Sequence, residues 1–441
     1  MTNWKPRPYF DSLLGVNERG ERLLVWVVAV LVVGSALLWS SPEYRERHLL
    51  LASVIATFQA RRRLGPLLQG MGRAGICFLS GLLLVHAASW LGGVRQGDSM
   101  LLAGARGLEG IIGVLGLAVL AVVLLEPRWR RFGKWTALGV LGLLLAGSYV
   151  GFFAGADRFI PLGKYSFHFD QMRMVLIWPT RLLTWPLGQL AWEHTNYAAF
   201  FFALGMALLL EHIGGGGKGR GWWCLGGLLG AGVFLTASRN GWLMLLVAVP
   251  LVLVRRSPRF TLKTLALLAV SIGLGYLCLK AKLILSPPVT NVPAVVMTIH
   301  GRDLVERGSS GRLEIYQLIL EEIKETRLCG KGLGAVGGPV GQLEHEHSTY
   351  MATLRGGGWV GFAGHLLVIG SAVWAAWGLV RRGVRWPAVL LVTVLGGLMF
   401  DRSTVIGLSG NYEFIAHWAA VLLPLLLIGK ERGSPALHGR G

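Results

Sequence analysis

The sequence is short of charged residues and of cysteine, and both shortages exclude common classes of protein. Only 15% of the 441 residues are charged, whereas 53% are apolar, which excludes an ordinary water-soluble globular protein. The four cysteines are Cys77, Cys224, Cys278 and Cys329, and the first three fall inside apolar runs. A disulfide framework and a CxxC metal site are therefore excluded on spacing.

Acidic residues are also scarce, since 23 Asp and Glu stand against 43 Lys and Arg, giving a net charge of +20. Such an excess can indicate nucleic-acid binding, but no contiguous soluble basic domain is present to carry it. The basic residues lie instead in short clusters between apolar runs. We therefore expect membrane lipids and anionic substrates as partners, and no nucleic acid.

Apolar runs fill most of the chain and predict an all-α polytopic integral membrane protein with about twelve transmembrane helices. No cleavable signal peptide is expected, because the polar segment before the first run is long. The second span is short, so we expect it to tilt, to extend through Tyr44 or to pack inside the bundle. The predicted spans are 23–40, 48–60, 74–93, 108–126, 135–154, 196–212, 221–237, 240–255, 262–280, 357–380, 387–401 and 413–429.

The loops between the spans predict orientation, because Lys and Arg accumulate in short cytoplasmic loops. Every second connection is dense in basic residues, so we expect a multi-pass protein of a bacterial inner membrane with both termini cytoplasmic. Two long loops then face the periplasm. The predicted organisation is a cytoplasmic tail (1–22), a first group of spans (23–280, with a periplasmic loop at 155–195), a large periplasmic loop (281–356), a last group of spans (357–429) and a cytoplasmic tail (430–441).

The first long loop carries two arginines beside an aromatic segment. Trp178, Trp185 and Trp192 recur at a fixed interval, which is typical of a segment at the membrane interface. Arg173 and Arg181 belong to the same stretch, at the depth of lipid phosphates or of a lipid diphosphate. We treat both arginines as candidate anion-binding residues, with ordinary membrane anchoring as the alternative.

Arg239 and Arg312 each lie near the start of a predicted helix. Arg239 follows Ser238, which can cap a span, and Arg312 follows a pair of serines before an amphipathic helix. A cation there opposes the helix dipole unless an anion binds between the guanidinium and the free N–H groups. We predict an anion site at each arginine. The alternatives are snorkelling to lipid phosphate for Arg239 and an ion pair with an acid such as Glu314 for Arg312.

The amphipathic helix is followed by a glycine-rich stretch, CGKGLGAVGG. We expect the apolar face of the helix to consist of Leu313, Tyr316, Leu320 and Ile323. The glycines lack the ending and the preceding strand of a P-loop, so they predict a flexible connection rather than a nucleotide cradle.

A cluster of acids and histidines, Glu344, His345, Glu346 and His347, precedes Ser348 and the next span. A histidine, with an ordinary pKa of about 6.5, suits general-base chemistry at neutral pH. His347 lies closest to the membrane helix, and Glu344 or Glu346 can orient its ring. The alternatives are an interfacial structural histidine and a metal site, for which alternate residues supply too few ligands. We expect no metal and no cofactor.

Several of these motifs resemble the O-antigen ligase family, within the group that includes O-antigen polymerases and protein O-oligosaccharyltransferases. The ligase-type pattern of a histidine, a small polar residue, nine residues and Gly-x-x-Gly fits His347, Ser348, 349–357 and 358–361. An Arg-x-x-x-Leu element begins at Arg239.

Other segments resemble the same group. The GRLEIYQ segment at 311–317 and the CGKGLG turn are similar to its Arg-containing helix and glycine turn. HTNYAAF at 194–200 is similar to an Asn-Pro-Asn element that keeps Asn196 but has Thr195 in place of the proline.

The resemblance implies a GT-C-like glycosyltransferase of lipopolysaccharide biosynthesis. It would move O-antigen from undecaprenyl diphosphate to a sugar hydroxyl of lipid A-core oligosaccharide, in a periplasmic active site, with inversion and without a metal. It implies His347 as general base and Arg239 and Arg312 as diphosphate-binding residues, with Arg173 and Arg181 as further candidates. The remaining candidates for substrate or supporting contacts are Glu344, His345, Glu346, Ser348 and Asn196.

Three alternatives stay open. The same donor chemistry would serve an O-antigen polymerase or a protein O-oligosaccharyltransferase. From another class, a lipid-linked glycan flippase also fits the span count, although the chain shows no repeated half and Glu109 is the clearest ionisable residue in a span. A purely structural membrane scaffold leaves the histidine cluster and both helix-start arginines unexplained.

Overall fold

The computed structural model describes much of the chain beyond its N-terminal segment. The described residues are 42–124, scattered positions from 138 to 149, 159–162, 165–170, 173–177, 195–236, 238–285, 312–326, 328–336, 340, 348–399 and 412–432. The predicted span 23–40, Arg181 and the cluster 344–347 lie outside them.

Helices make up most of the described structure. The predicted spans from 48–60 onward coincide wholly or for most of their length with these helices, apart from 135–154, where only scattered helical positions are described. The helices are α1 Pro42–Arg95, α2 Met100–Leu124, α3 Thr195–Gly214, α4 Arg220–Leu235, α5 Arg239–Leu253, α6 Pro258–Leu285, α7 Arg312–Thr326, α8 Thr349–Arg381, α9 Trp386–Gly397 and α10 Tyr412–Arg432.

Several helices have the length and composition of membrane spans. Within the described residues, 4 stretches are long and apolar enough to cross a membrane, namely Gln69–Arg95, Met100–Val119, Pro258–Cys278 and Thr349–Arg381. Their outward faces are apolar as well, since Leu101 of α2 is 84% exposed and Leu262 of α6 is 70% exposed. Exposed leucines on packed helices are typical of a lipid-facing surface. The fold is that of a helical membrane protein, and the total of about twelve spans stays a prediction.

A small antiparallel sheet in the first long loop adds strands to the predicted all-α architecture. It contains β1 Phe159–Leu162, β2 Tyr165–Asp170 and β3 Arg173–Ile177 in the order β1-β2-β3. The period of two in YSFHFD favours a strand, but a search for long apolar runs passes over so short a segment. Arg173 begins β3 in register with Asp170 of β2.

Two of the long helices are broken at a glycine. α1 is interrupted at Gly72 (φ 57°, ψ −138°) and α8 at Gly358 (φ 59°, ψ −162°). Both conformations are essentially restricted to glycine. The break in α1 separates the predicted spans 48–60 and 74–93. α8 begins at Thr349, earlier than the predicted start at 357, because the glycine run is a corner between two helical segments rather than the helix start.

The core is built by close helix packing around aromatic and small residues. Phe78 of α1 meets Trp418 of α10 edge to face, with ring centroids 6.2 Å apart. α1 crosses α8 at two glycines, where a Cβ added at Gly81 would lie 2.5 Å from the Gly364 carbonyl oxygen. Small residues at such a crossing let two helix backbones approach closely, as in many membrane bundles.

Arginines hold one end of the bundle, which we call the arginine end (Glu211, Arg256 and Arg385). Arg256 lies 2.6 Å from Glu211 and donates to the carbonyl of Gly214, the last residue of α3. Arg385 donates to Val254 (2.7 Å) and to carbonyls of the last turn of α5. Burial lowers the pKa of Arg385 below its ordinary value, while the charge of Glu211 opposes that shift. Both cations thus lie at helix C-termini, where the dipole favours them.

A substitution of Arg256 tests whether its ion pair with Glu211 stabilises the arginine end. We expect Arg256→Ala to lower the free energy of unfolding by about 3 kcal/mol, because the buried Glu211 carboxylate loses its counter-charge. Thermal unfolding of the detergent-solubilised protein measures the change. Arg259→Ala, which removes an exposed arginine from the first turn of α6, is the matched control. Equal unfolding midpoints for the two variants would contradict the assignment.

Candidate functional site

The N-termini of three helices meet at the end opposite the arginine end, which we call the site end. α3 and α5 touch near their starts, because a Cβ at Gly241 would lie 3.0 Å from the Ala199 Cβ. The C-terminus of α9 packs against both, with a Cβ at Gly397 lying 2.8 Å from the Phe200 ring. The N–H of Thr349, the first residue of α8, donates to the Leu398 carbonyl beside it (3.2 Å). The starts of α3, α5 and α8 therefore surround the end of α9.

Several predicted residues occupy these helix starts. Arg239 is the first residue of α5 and is exposed, while Ser238 before it is the N-cap residue. Asn196 is the second residue of α3. Ser348 is the buried N-cap residue of α8, and its carbonyl accepts from Ala352 N–H (2.9 Å). His347 directly precedes Ser348 in the chain.

The converging helix starts have one clear chemical capacity. Each helix N-terminus carries a partial positive charge from its aligned peptide dipoles, and the Arg239 guanidinium adds a full charge beside them. The hydroxyl of Ser348 makes no side-chain cap hydrogen bond to its helix. An arrangement of this kind can bind an anion such as a phosphate.

α8 folds back on itself, so its first segment lies against the residues that follow the break at Gly358. Residues 350 and 365 would lie about 22 Å apart on a continuous α-helix. The Tyr350 and His365 rings are nevertheless stacked, with centroids 5.7 Å apart. The break at Gly358 makes this possible. We call residues 349–357 the entry segment, and the Tyr350 hydroxyl anchors it by donating to the Leu395 carbonyl of α9 (3.2 Å).

The glycine-rich turn at 328–336 caps the C-terminus of the entry segment. Lys331 N–H donates to the Arg355 carbonyl (2.8 Å), and Gly332 N–H donates to the Gly356 carbonyl (2.9 Å). In return, Val360 N–H donates to the Leu328 carbonyl (3.0 Å). The last carbonyls of a helix lack partners within it, so these bonds stabilise the corner. The turn is therefore an ordered packing element, and the prediction of a flexible connection is wrong.

Glycines allow this close contact on both faces of the turn. A Cβ at Gly330 (φ 66°) would lie 2.5 Å from the Arg355 carbonyl oxygen and 2.5 Å from the Gly358 nitrogen. On the other face, a Cβ at Gly92 of α1 would overlap the Cys329 carbonyl. The turn is thus enclosed between α1 and the entry segment, with backbone against backbone.

α7 packs on the entry segment through its isoleucines. Ile315, Ile319 and Ile323 are buried in one cluster with Leu354 of the entry segment. The predicted face is wrong in part, since Leu313 is 62% exposed and Leu320 is 42% exposed. Apolar residues occupy two neighbouring stripes of this helix, and the contact with the entry segment selects the isoleucine stripe. Arg312 is the first residue of α7.

An ion cluster joins α7, the turn and the entry segment. Arg355 Nε lies 2.8 Å from Glu322 Oε2, and its Nη1 donates to the Ala335 carbonyl (2.9 Å). Lys331 Nζ lies 3.1 Å from Glu322 Oε1. This cluster lies outside the predicted site residues, although an arginine beside three glycines at the start of an apolar span is a signal that the sequence offers for it.

The structure does not bring all of the predicted site residues together. Arg173 lies on the small sheet and Arg312 begins α7, whereas Arg181, Glu344, His345, Glu346 and His347 fall outside the described residues. Among the side chains that are described, no group of three or more His, Cys, Asp or Glu could hold a metal ion. That finding does not extend to His345 and His347.

Comparison with known families identifies the central part of the chain. Residues 224–366 match a family model described as O-antigen ligase. The chain carries an O-antigen ligase family domain. This ligase domain runs from α4 into α8, and it includes Arg239, α7, the glycine turn and the entry segment. A search of curated proteins gives no match.

The corner of the ligase domain can be tested at Gly358. We expect Gly358→Ala to destabilise the protein by about 2 kcal/mol or more, because its φ and ψ suit only glycine and the new Cβ would lie 2.5 Å from the Leu328 carbonyl oxygen. The unfolding midpoint and the yield of folded protein measure this. Gly370→Ala in the same helix is the control, since its Cβ meets nothing within 4 Å. Similar behaviour of the two variants would refute the corner's role.

Proposed function

We propose that the protein is an O-antigen ligase. It transfers O-antigen polysaccharide from undecaprenyl diphosphate to a sugar hydroxyl of lipid A-core oligosaccharide, on the periplasmic face of the bacterial inner membrane. The observation that carries the proposal is the meeting of three helix N-termini, two of which, those of α5 at Arg239 and of α8 beside Ser348, lie inside the segment that matches the O-antigen ligase family. That arrangement suits a diphosphate, and His347 adjoins it along the chain.

The donor's diphosphate is the natural ligand of this positive region. Arg239, together with the starts of α3, α5 and α8, would neutralise its charge. Arg312 would contribute a second guanidinium from the start of α7, which packs on the entry segment. Arg173 and Arg181 stay further candidates for the same anion or for lipid phosphates.

The reaction requires a base for the acceptor and a stabilised leaving group. His347 would remove the proton of the acceptor hydroxyl as its oxygen attacks the anomeric carbon from the face opposite the diphosphate. The bond from that carbon to the diphosphate oxygen breaks, and its electron pair leaves with the diphosphate. The arginines stabilise the developing charge, so the anomeric configuration inverts without need of a metal. Glu344, His345, Glu346, Ser348 and Asn196 are the candidates for orienting His347 or contacting substrate.

Polymerase and protein O-oligosaccharyltransferase activities would use the same donor chemistry. The ligase is favoured by the pattern from His347 to Gly361, in which Gly358 makes the corner of α8 and Gly361 packs near α1. The flippase alternative calls for ionisable groups at mid-membrane. The described helices bury His86, His365 and His417, so transport remains an outcome that the transfer assay must distinguish.

His347 provides the first functional test. We expect His347→Ala to abolish transfer from undecaprenyl-diphosphate-linked O-antigen to lipid A-core, because the acceptor hydroxyl loses its base, while donor binding persists. Purified enzyme and gel analysis of the product measure this. The control is His212→Ala, which removes an exposed histidine from the last turn of α3.

Each other result of the assay has a separate meaning. Normal turnover by the His347→Ala variant would contradict the assignment of His347 as the general base. Elongation of the lipid-linked donor without joining to lipid A would identify a polymerase. Wild-type activity lost to a chelator and restored by a divalent ion would identify a metal enzyme.

The arginines are tested by donor affinity. We expect Arg239→Ala and Arg312→Ala each to weaken undecaprenyl diphosphate binding and transfer by about 10-fold to 100-fold, as for the loss of one charged hydrogen bond. Binding assays and initial rates measure the two effects. Arg220→Ala is the matched control, because Arg220 is also an exposed first residue of a helix. A change in acceptor affinity alone would contradict the diphosphate role.

A further inference from the structure

The ion pair between Glu322 and Arg355 joins α7, which begins with the candidate diphosphate-binding residue Arg312, to the entry segment. Glu322 lies in α7, the helix that Arg312 begins, and Arg355 lies in the entry segment that follows Ser348. We propose that Glu322 and Arg355 are positioning residues that set the place of Arg312, at the start of α7, relative to the entry segment. This inference rests on the proposed function, because it assigns Arg312 to the donor diphosphate.

The geometry of the pair constrains the orientation of α7 relative to the entry segment as well as the distance between them. Arg355 Nε lies 2.8 Å from Glu322 Oε2, and Arg355 Nη2 lies 3.5 Å from Oε1. Two contacts between a planar guanidinium and a planar carboxylate fix their relative orientation. The Ala335 carbonyl accepts from Nη1 (2.9 Å) and holds the guanidinium from a third side. Rotation of α7 on the entry segment would break this set of contacts.

Because the Glu322–Arg355 pair is largely buried, stabilisation of the fold is by itself a poor explanation for the pair. Arg355 is only 5% exposed and the Glu322 side chain is 19% exposed. Burying two charges costs desolvation energy that their attraction often only balances, and apolar residues of similar size commonly give equal or greater stability. The isoleucines of α7 already supply apolar packing on Leu354. The charged pair adds a property that the isoleucines lack, because it fixes the orientation of α7 relative to the entry segment.

The pair acts at a distance from the residues that it positions. Along α7, Glu322 lies about 15 Å from Arg312, and along the entry segment Arg355 lies about 10 Å from Ser348. A small rotation at the pair therefore becomes a larger displacement at Arg312. A misplacement of about 1 Å can cost on the order of 100-fold in rate.

The backbone hydrogen bonds of the corner do not use the Glu322 side chain. The bonds that cap the entry segment come from the backbone N–H groups of Lys331 and Gly332 and end on backbone carbonyls. Substituting the Glu322 side chain leaves those donors and acceptors in place. An amide at this position can therefore be compared with the wild type as a folded protein.

The experiment is a double-mutant cycle on donor affinity. Undecaprenyl diphosphate binding is measured for the wild type, Glu322→Gln, Arg312→Ala and the double variant, each confirmed as folded by thermal unfolding. We expect Glu322→Gln to weaken binding by about tenfold in the wild-type background and to have little further effect when Arg312 is absent, because the two residues act through one contact. Glu321→Gln, on an exposed neighbour in α7, is the control and should bind like the wild type.

Two results would overturn the inference. One is an equal loss of affinity from Glu322→Gln with and without Arg312, which would show independent effects. The other is a lower unfolding midpoint with unchanged affinity of the folded fraction, which would show a purely structural pair. Transfer rates for the same four proteins test the proposed function separately, since a wild type that binds the donor without transferring it refutes the ligase but leaves the cycle interpretable.

Discussion

The corner at Gly358 is the constraint on which the rest of the site end depends. A chain that must leave a membrane helix and return along the bundle end cannot leave its last carbonyls without partners in an apolar environment. The glycine turn at 328–336 supplies those partners from its own backbone, with N–H to carbonyl distances of 2.8 and 2.9 Å. Only glycines let the two backbones come this close. Once the corner exists, the entry segment lies against the part of α8 that follows it, and Ser348 comes next to the end of α9.

The two ends of the bundle use the helix dipole in opposite senses. At the arginine end, Arg256 and Arg385 donate to carbonyls at the C-termini of α3 and α5, so the partial negative charges are neutralised within the protein. At the site end, the starts of α3, α5 and α8 converge and leave a positive region that suits an anionic substrate. One end is therefore closed by the protein's own charges, whereas the other is suited to a charge brought by a ligand.

Much of the membrane architecture could be read from the sequence, because apolar length and basic loops act locally. The spans at 74–93, 196–212 and 413–429 fall within α1, α3 and α10. Arg239 and Arg312 begin their helices as expected. The short strands were passed over because they lack apolar length. The face of α7 was misassigned because two apolar stripes are equivalent until a partner helix packs on one of them. Glu322 and Arg355 stand 33 positions apart along the chain, and nothing local pairs them.

The sequence by itself determined that this is a helical membrane protein and which residue types could bind a diphosphate or move a proton. Those properties follow from composition and from the chemistry of single side chains. The tertiary structure alone decided that the start of α8 folds back, that the glycine turn is a cap, and that the starts of α3, α5 and α8 meet around α9. These are relations between distant segments, fixed by backbone contacts such as Gly330 against Gly358, and no periodicity within either segment encodes them.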